Sequence, residues 1–153
     1  MDTNKKQGRY DRIYQQLSKL MGTCENPESR MNTIIAVLHH KMDYFFWTGF
    51  YFLNNGNLQV KMYQGPVACM QLAKDTGVCW EGINTQKPVL VKNVEDFPGH
   101  IACDGRSNSE VVLPFFDKNN QLLGVLDVDS DQVEAFDETD VENLQRILQL
   151  VYA

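Results

Sequence analysis

The stretch Tyr44-Phe-Phe-Trp-Thr-Gly-Phe-Tyr-Phe-Leu53 runs into Asn54-Asn55-Gly56-Asn57 and resumes from Leu58 to Tyr63. Aromatic and β-branched residues pack well on a pleated surface, and an Asn-Gly pair between two such runs suits a tight turn, so the segment reads as a β-hairpin. The same logic recurs near the C-terminus, where Val111-Val-Leu-Pro-Phe-Phe116 and Leu122-Leu-Gly-Val-Leu126 flank the polar Asp117-Lys-Asn-Asn120. Two hairpins commit the chain to an antiparallel sheet.

Helices bracket that sheet. Tyr10, Ile13, Tyr14, Leu17, Leu20 and Met21 recur at helical spacing, as do Met31, Ile34, Ile35, Leu38 and Met42 after the start signal Asn26-Pro27. A last helix opens at Asp137, an N-cap with acidic residues in the first turn, and continues through Val141, Leu144, Leu148 and Val151. The expected fold is therefore a single α+β domain over residues 1–153, a central antiparallel sheet with helices layered against it, and a disordered tail over about residues 1–8. A chain of 153 residues buries enough surface to need neither disulfide nor metal for its core.

Net charge of −6, with no Lys/Arg cluster to override it, argues against nucleic acid as a partner. The hydrophilic start MDTNKKQGRYDR is unlike a secretory signal, and no apolar run is long enough to span a membrane, so a cytoplasmic location is expected. Exposed apolar faces on the first two helices leave a homodimer open.

Between the hairpins lie short apolar stretches such as Val89-Leu-Val91, broken by Gly65, Pro66, Gly77, Gly82, Pro98, Gly99 and Gly105. This loop-rich segment carries Cys69, Cys79 and Cys103, and loops on a rigid scaffold are where reactive groups concentrate. A thiol-reducing cytosol keeps cysteines reduced, so grouped ones there point to redox catalysis, with small buried hydrophobes as the plain alternative. Zinc is disfavoured because no C-x2-C pair exists, and no metal is expected. Asp127 and Asp129 lie two apart on a strand and so point to one face, two carboxylates in an apolar segment. Trp47 and Tyr51, four apart, share a face, while Phe46, Phe50 and Phe52 are assigned to the opposite, core-forming one.

Several segments together carry a resemblance. Trp47-Thr-Gly-Phe-Tyr51, Gln64-Gly65 ahead of Ala68-Cys69, Gly77-Val-Cys79, Phe97-Pro-Gly-His-Ile-Ala-Cys-Asp104, Ser107-Asn-Ser-Glu110 and Gly124-Val-Leu-Asp-Val-Asp-Ser130 resemble the GAF-domain free methionine-(R)-sulfoxide reductases over nearly the whole chain. One departure is Trp80, which follows Cys79 where the family pattern leads one to expect glycine.

The resemblance implies thiol-dependent reduction of the R sulfoxide of free methionine, without metal or organic cofactor. A thiolate attacks the sulfoxide sulfur, a sulfenic acid forms, and a second thiol condenses with it to a disulfide. Similarity to the family makes Cys103 the attacking thiol and either Cys69 or Cys79 the resolving one, with an external thioredoxin, fed by NADPH, as reductant. It also implies that Glu110, Asp127 and Asp129 grip the substrate ammonium, one of them donating a proton, and that Trp47 and Tyr51 form the wall that receives the S-methyl group. Backbone amides of Gly99–Asp104 are suited to a substrate carboxylate, and His100 either stabilises the thiolate or simply satisfies the loop backbone or points to solvent. The alternative function is a non-catalytic GAF-type sensor of a small molecule or of redox state.

Overall fold

The computed structural model describes residues 1–100 and 103–153, and opens on helices α1 (Thr3–Met21) and α2 (Pro27–Lys41). Asp2 accepts from the Lys5 amide and Asn26 from the Ser29 amide, so each helix begins with a side-chain cap, and Pro27 occupies the first turn of α2, where its missing N–H costs nothing. The tail expected over residues 1–8 is not what forms. Helix α1 already covers Thr3, and Lys6 is buried because its ammonium donates to Asp140 at the far end of the chain.

Strands β1 (Trp47–Asn54) and β2 (Asn57–Gln64) make the first hairpin, and β5 (Ser109–Phe116) and β6 (Leu122–Ser130) the second. The turn at Asn55 and Gly56 has positive φ at both residues, which Asn and Gly tolerate. Short strands β3 (Gln71–Leu72) and β4 (Val89–Val91) close the edges, and the six strands pair antiparallel in the order β3-β2-β1-β6-β5-β4. With α3 (Gly77–Thr85) and α4 (Glu138–Leu148), this is the α+β architecture read from the sequence. Among the described residues, no helix is long and apolar enough to cross a membrane.

Alternation along the central strands divides the core in two. On one face Phe50, Val111, Leu113, Leu126 and Val128 pack against Leu17 of α1, Ile34 and Leu38 of α2, and Leu144 and Ile147 of α4. On the other, Trp47, Tyr51, Val112 and Val125 meet Val78, Trp80 and Ile83 of α3. Burying each large apolar side chain contributes about 1.5–3 kcal/mol, and both faces are built on that term. Asp137 caps α4 through a reciprocal box with Asp140. Val151, expected in this helix, lies in a turn beyond its end and is still buried in the core.

Two local readings change. Strand β1 begins at Trp47, so two-residue alternation does not reach Phe46; it packs with the α3-side cluster instead of the helix-side core. The segment between the hairpins also holds a helix, α3, where loops were expected. Thr76 makes no side-chain cap and two glycines lie in the nine-residue span, so intrinsic propensity does not explain it. Packing does. A Cβ on Gly82 would sit 2.8 Å from Val112 Cγ1, so glycine at this position lets α3 lie directly on β5.

Candidate active site

The face of the sheet covered by α3 carries a polar patch. Register places Trp47, Asp129 and Glu110 in one row across β1, β6 and β5, with Gly49, Asp127 and Val112 in the next. Asp127 and Asp129 therefore do share a face, and antiparallel pairing adds Glu110 beside them. Glu110 and Asp127 are each 5% exposed. Burial raises all three carboxyl groups, Glu110 to about 8, and each is pushed further by a carboxylate neighbour: Asp129 for Glu110, Glu110 for Asp127, Asp127 for Asp129. None of the ion pairs among the described residues brings a lysine or arginine to them. A site of this kind holds protons at neutral pH and attracts a cation.

His100 lies against this patch, its Nε2 3.4 Å from Glu110 Oε1. Burial lowers the imidazole's proton affinity while that of Glu110 rises, so a neutral ring faces a protonated carboxyl at neutral pH. The ring is thus placed toward the acid. Ile101 and Ala102 lie outside the described residues, and so does that part of the amide cradle expected over Gly99–Asp104.

Above the carboxylates stands an aromatic wall. Trp47 and Tyr51 stack at 5.7 Å between ring centroids, and Tyr63 also stacks on Trp47 at 5.3 Å. Trp47 Nε1 donates to the Pro66 carbonyl and the Tyr51 hydroxyl to that of Cys69, so the wall is tied to the loop that carries Cys69. Glycine at 49 leaves room for the indole: a Cβ there would lie 2.7 Å from Trp47 Cη2 and would collide with Tyr63 Cβ.

Cys69 and Cys103, 34 positions apart in sequence, are joined in a disulfide with their Cα atoms 5.5 Å apart, a separation natural for that bond. Cys103, with Trp47, Tyr51 and the three carboxylates, lines one pocket. Cys79 reaches the same pocket from α3 but remains a free, buried thiol, its proton held first by burial and then by the Asp127 and Glu110 charges nearby. Trp80 points elsewhere, donating from Nε1 to the Leu72 carbonyl and anchoring α3 to β3. Cys24 is exposed and distant in role: its carbonyl accepts from buried Arg30.

The structure adds two features that sequence reasoning passed over. Phe46 lines the pocket, and the Arg106 guanidinium lies over its ring at 4.9 Å. Arg106 also grips Asp104 through Nε and Nη2, and those hydrogen bonds hold the Asp104 carboxyl down at about 2. Asp104 was visible beside Cys103 in sequence, but nothing marked Arg106 as its partner.

Comparison with known proteins assigns the family. Residues 24–151 match the GAF domain family. Free methionine-R-sulfoxide reductase of Escherichia coli strain K12 is 37% identical over 113 residues, covering 74% of this chain and 68% of that one. This chain belongs to the free methionine-R-sulfoxide reductase family of GAF domains. GAF domain-containing protein A of Dictyostelium discoideum is 40% identical over 147 residues, 95% of this chain and 92% of that protein. Among solved structures, the Neisseria meningitidis free methionine-R-sulfoxide reductase in complex with its substrate superposes with a TM-score of 0.87 at 31% identity, covering 94% of this chain and 86% of that one.

Proposed function

We propose that this protein reduces free L-methionine-(R)-sulfoxide to methionine through thiol chemistry at Cys103. The observation that carries the reading is a Cys69–Cys103 disulfide whose Cys103 lines the same pocket as three carboxyl groups of raised pKa. A free amino acid offers an ammonium group, which suits Glu110, Asp127 and Asp129, and a methyl sulfoxide, which suits Trp47 and Tyr51. A residue within a protein lacks that ammonium, so the pocket favours the free amino acid.

In the reduced protein the Cys103 thiolate attacks the sulfoxide sulfur while a carboxyl proton goes to the oxygen. Glu110, which retains its proton up to about pH 8, is the suited donor. The hydroxyl then passes from the substrate sulfur to Cys103 Sγ as the bond between the two sulfurs breaks, which releases methionine and leaves Cys103 as a sulfenic acid. The Cys69 thiol then attacks Cys103 Sγ, water departs, and the disulfide forms. Reduction of that disulfide by an external dithiol of the thioredoxin type restores both thiols, as a reducing cytoplasm would permit, and no metal or organic cofactor takes part. Cys69 is the resolving partner in this scheme because it is the thiol already bonded to Cys103.

The test is thioredoxin-coupled NADPH oxidation with free methionine-(R)-sulfoxide, free methionine-(S)-sulfoxide and an oxidised methionine peptide supplied separately. Turnover confined to the free R epimer is expected. No turnover with any of the three, from folded and pre-reduced protein, would replace the enzyme with a ligand or redox sensor.

A further inference from the structure

The disulfide leaves one pocket thiol without a task. Cys79 of α3 lies buried on the pocket floor beside Glu110 of β5 and Asp127 of β6, and one donor atom from each lies within 4.8 Å of the other two. Two features separate this trio from an ordinary acidic cluster. Its donors are mixed, one sulfur and two carboxylate oxygens, delivered by three different elements. Asp127 Oδ1 also has no hydrogen-bond partner among the described residues, although its side chain is almost wholly removed from water. Leaving such an atom unpaired is costly, and a cation placed against it removes the cost.

We propose that Cys79, Glu110 and Asp127 form a binding site for a borderline-soft divalent cation of the Zn2+ class, and that a cation held there excludes the substrate's ammonium group. The exclusion rests on the reading of the pocket given above, whereas the site itself does not.

Zinc takes thiolate sulfur at about 2.3 Å and carboxylate oxygen at about 2.0–2.2 Å, which sets tetrahedral donors about 3.5 Å apart. Because the three donor atoms lie within 4.8 Å of one another, closing to that spacing takes at most about 1.3 Å, within reach of side-chain rotation on a fixed sheet. Three protein donors leave a fourth position facing the pocket, for water or for His100 Nε2 beside Glu110. Magnesium and calcium prefer all-oxygen sets and are poorly served by a thiolate. Binding exchanges protons for metal: the Cys79 thiol and the carboxyl groups lose theirs as the cation enters, and no redox change occurs. Tyr51 from β1, Asp129 from β6, and His100 and Asp104 from their loop face the same space, and of these Asp104 is ionised at neutral pH, paired with Arg106. Affinity therefore rises with pH across the neutral range.

The test uses oxidised Cys24→Ser protein, in which Cys69 and Cys103 are tied in the disulfide and Cys79 is the remaining thiol. Co2+ titrated into it should give a sulfur-to-cobalt charge-transfer band saturating at one ion per chain, which Zn2+ then displaces. Adding Cys79→Ser should remove the band, and Asp127→Asn should weaken binding by roughly tenfold or more. Cys79→Ala serves as a second variant, with near-UV circular dichroism reporting that each is folded. No band at stoichiometric Co2+, or a band that persists without Cys79, overturns the site. Free methionine sulfoxide should displace the cobalt, and a band unchanged at saturating sulfoxide overturns the exclusion. Neither readout depends on turnover, so failure here is distinct from failure of the reductase activity.

Discussion

Two buried aspartates, one on each side of the sheet, show opposite solutions to the same electrostatic problem. Asp140, on the helix side, accepts from Lys6 Nζ at 2.6 Å, the Tyr10 hydroxyl at 2.7 Å, the Tyr44 hydroxyl at 2.6 Å and the Asp137 amide at 2.8 Å. Its charge is compensated and its oxygens are occupied. Asp127, on the α3 side, is surrounded by Glu110, Asp129 and the Cys79 thiol, with one oxygen unpartnered. The fold can therefore satisfy a buried carboxylate where it ties α1, α4 and the approach to β1 together. Where it does not, the partner we propose is a cation that comes and goes. Stability and function occupy opposite faces of one sheet, and substitutions should separate them.

The largest expected effect belongs to the thiols. Cys103→Ser should abolish methionine release even in a single turnover, while Cys69→Ser should release one methionine per chain and then stop, both read by quantifying methionine after mixing pre-reduced protein with sulfoxide. Release of one methionine per chain by Cys103→Ser would assign the nucleophile elsewhere. Next comes Glu110→Gln, which removes the proposed proton donor and should lower kcat by about 10²–10⁴-fold. Its melting temperature should stay level or rise, because a buried group that ionises at a cost has been replaced by one that cannot ionise. Lys6→Met makes the opposite trade. It strands the Asp140 charge and should cost about 3–5 kcal/mol in urea denaturation, with turnover per folded molecule unchanged. Equal stability losses for Glu110→Gln and Lys6→Met would erase the distinction between the two faces.

A smaller effect is expected from Gly49→Ala. The added methyl group meets Trp47 and Tyr63, so the indole must shift from its stack with Tyr51. We expect KM for the sulfoxide to rise about tenfold, equivalent to about 1.4 kcal/mol, with kcat less affected. Unchanged KM would remove Trp47 from the substrate wall.

How far the sequence foretold these two faces depends on the range of the interactions. Helix starts at Asn26-Pro27 and Asp137, the Asn55-Gly56 turn and the shared face of Asp127 and Asp129 are local matters of capping, φ and two-residue alternation, and all were legible. Helix α3 was not, because Gly77, Gly82 and an uncapped first turn argue against a helix that only packing on Val112 and Val125 sustains. The row that brings Glu110 beside Asp129 depends on β5–β6 register, and the meeting of Cys69 with Cys103 on two loops approaching across the pocket. Spacing along a chain does not encode such distances. His100 illustrates the point: beside Cys103 in sequence it reads as a thiolate's neighbour, yet in space it faces Glu110.

The pH dependence separates the two faces without a large change of structure. Glu110 titrates near 4.5 when unfolded and at about 8 in the folded protein, first because of burial and then because of Asp129. Between those values the folded state binds more protons than the unfolded one, so stability falls as pH rises through the window, by at most about 1.4 kcal/mol per pH unit from this group. Below pH 4.5 both states are protonated and the contribution is flat; above 8 the loss is complete. Urea denaturation at intervals from pH 5 to pH 8 should show this decline in the wild type and a shallower one in Glu110→Gln. Lys6→Met should lower the whole curve while preserving the Glu110-dependent slope. A wild-type curve unchanged by Glu110→Gln would mean that this carboxyl is already ionised at neutral pH, and the proton delivered to the sulfoxide would then have to come from Asp127 or Asp129.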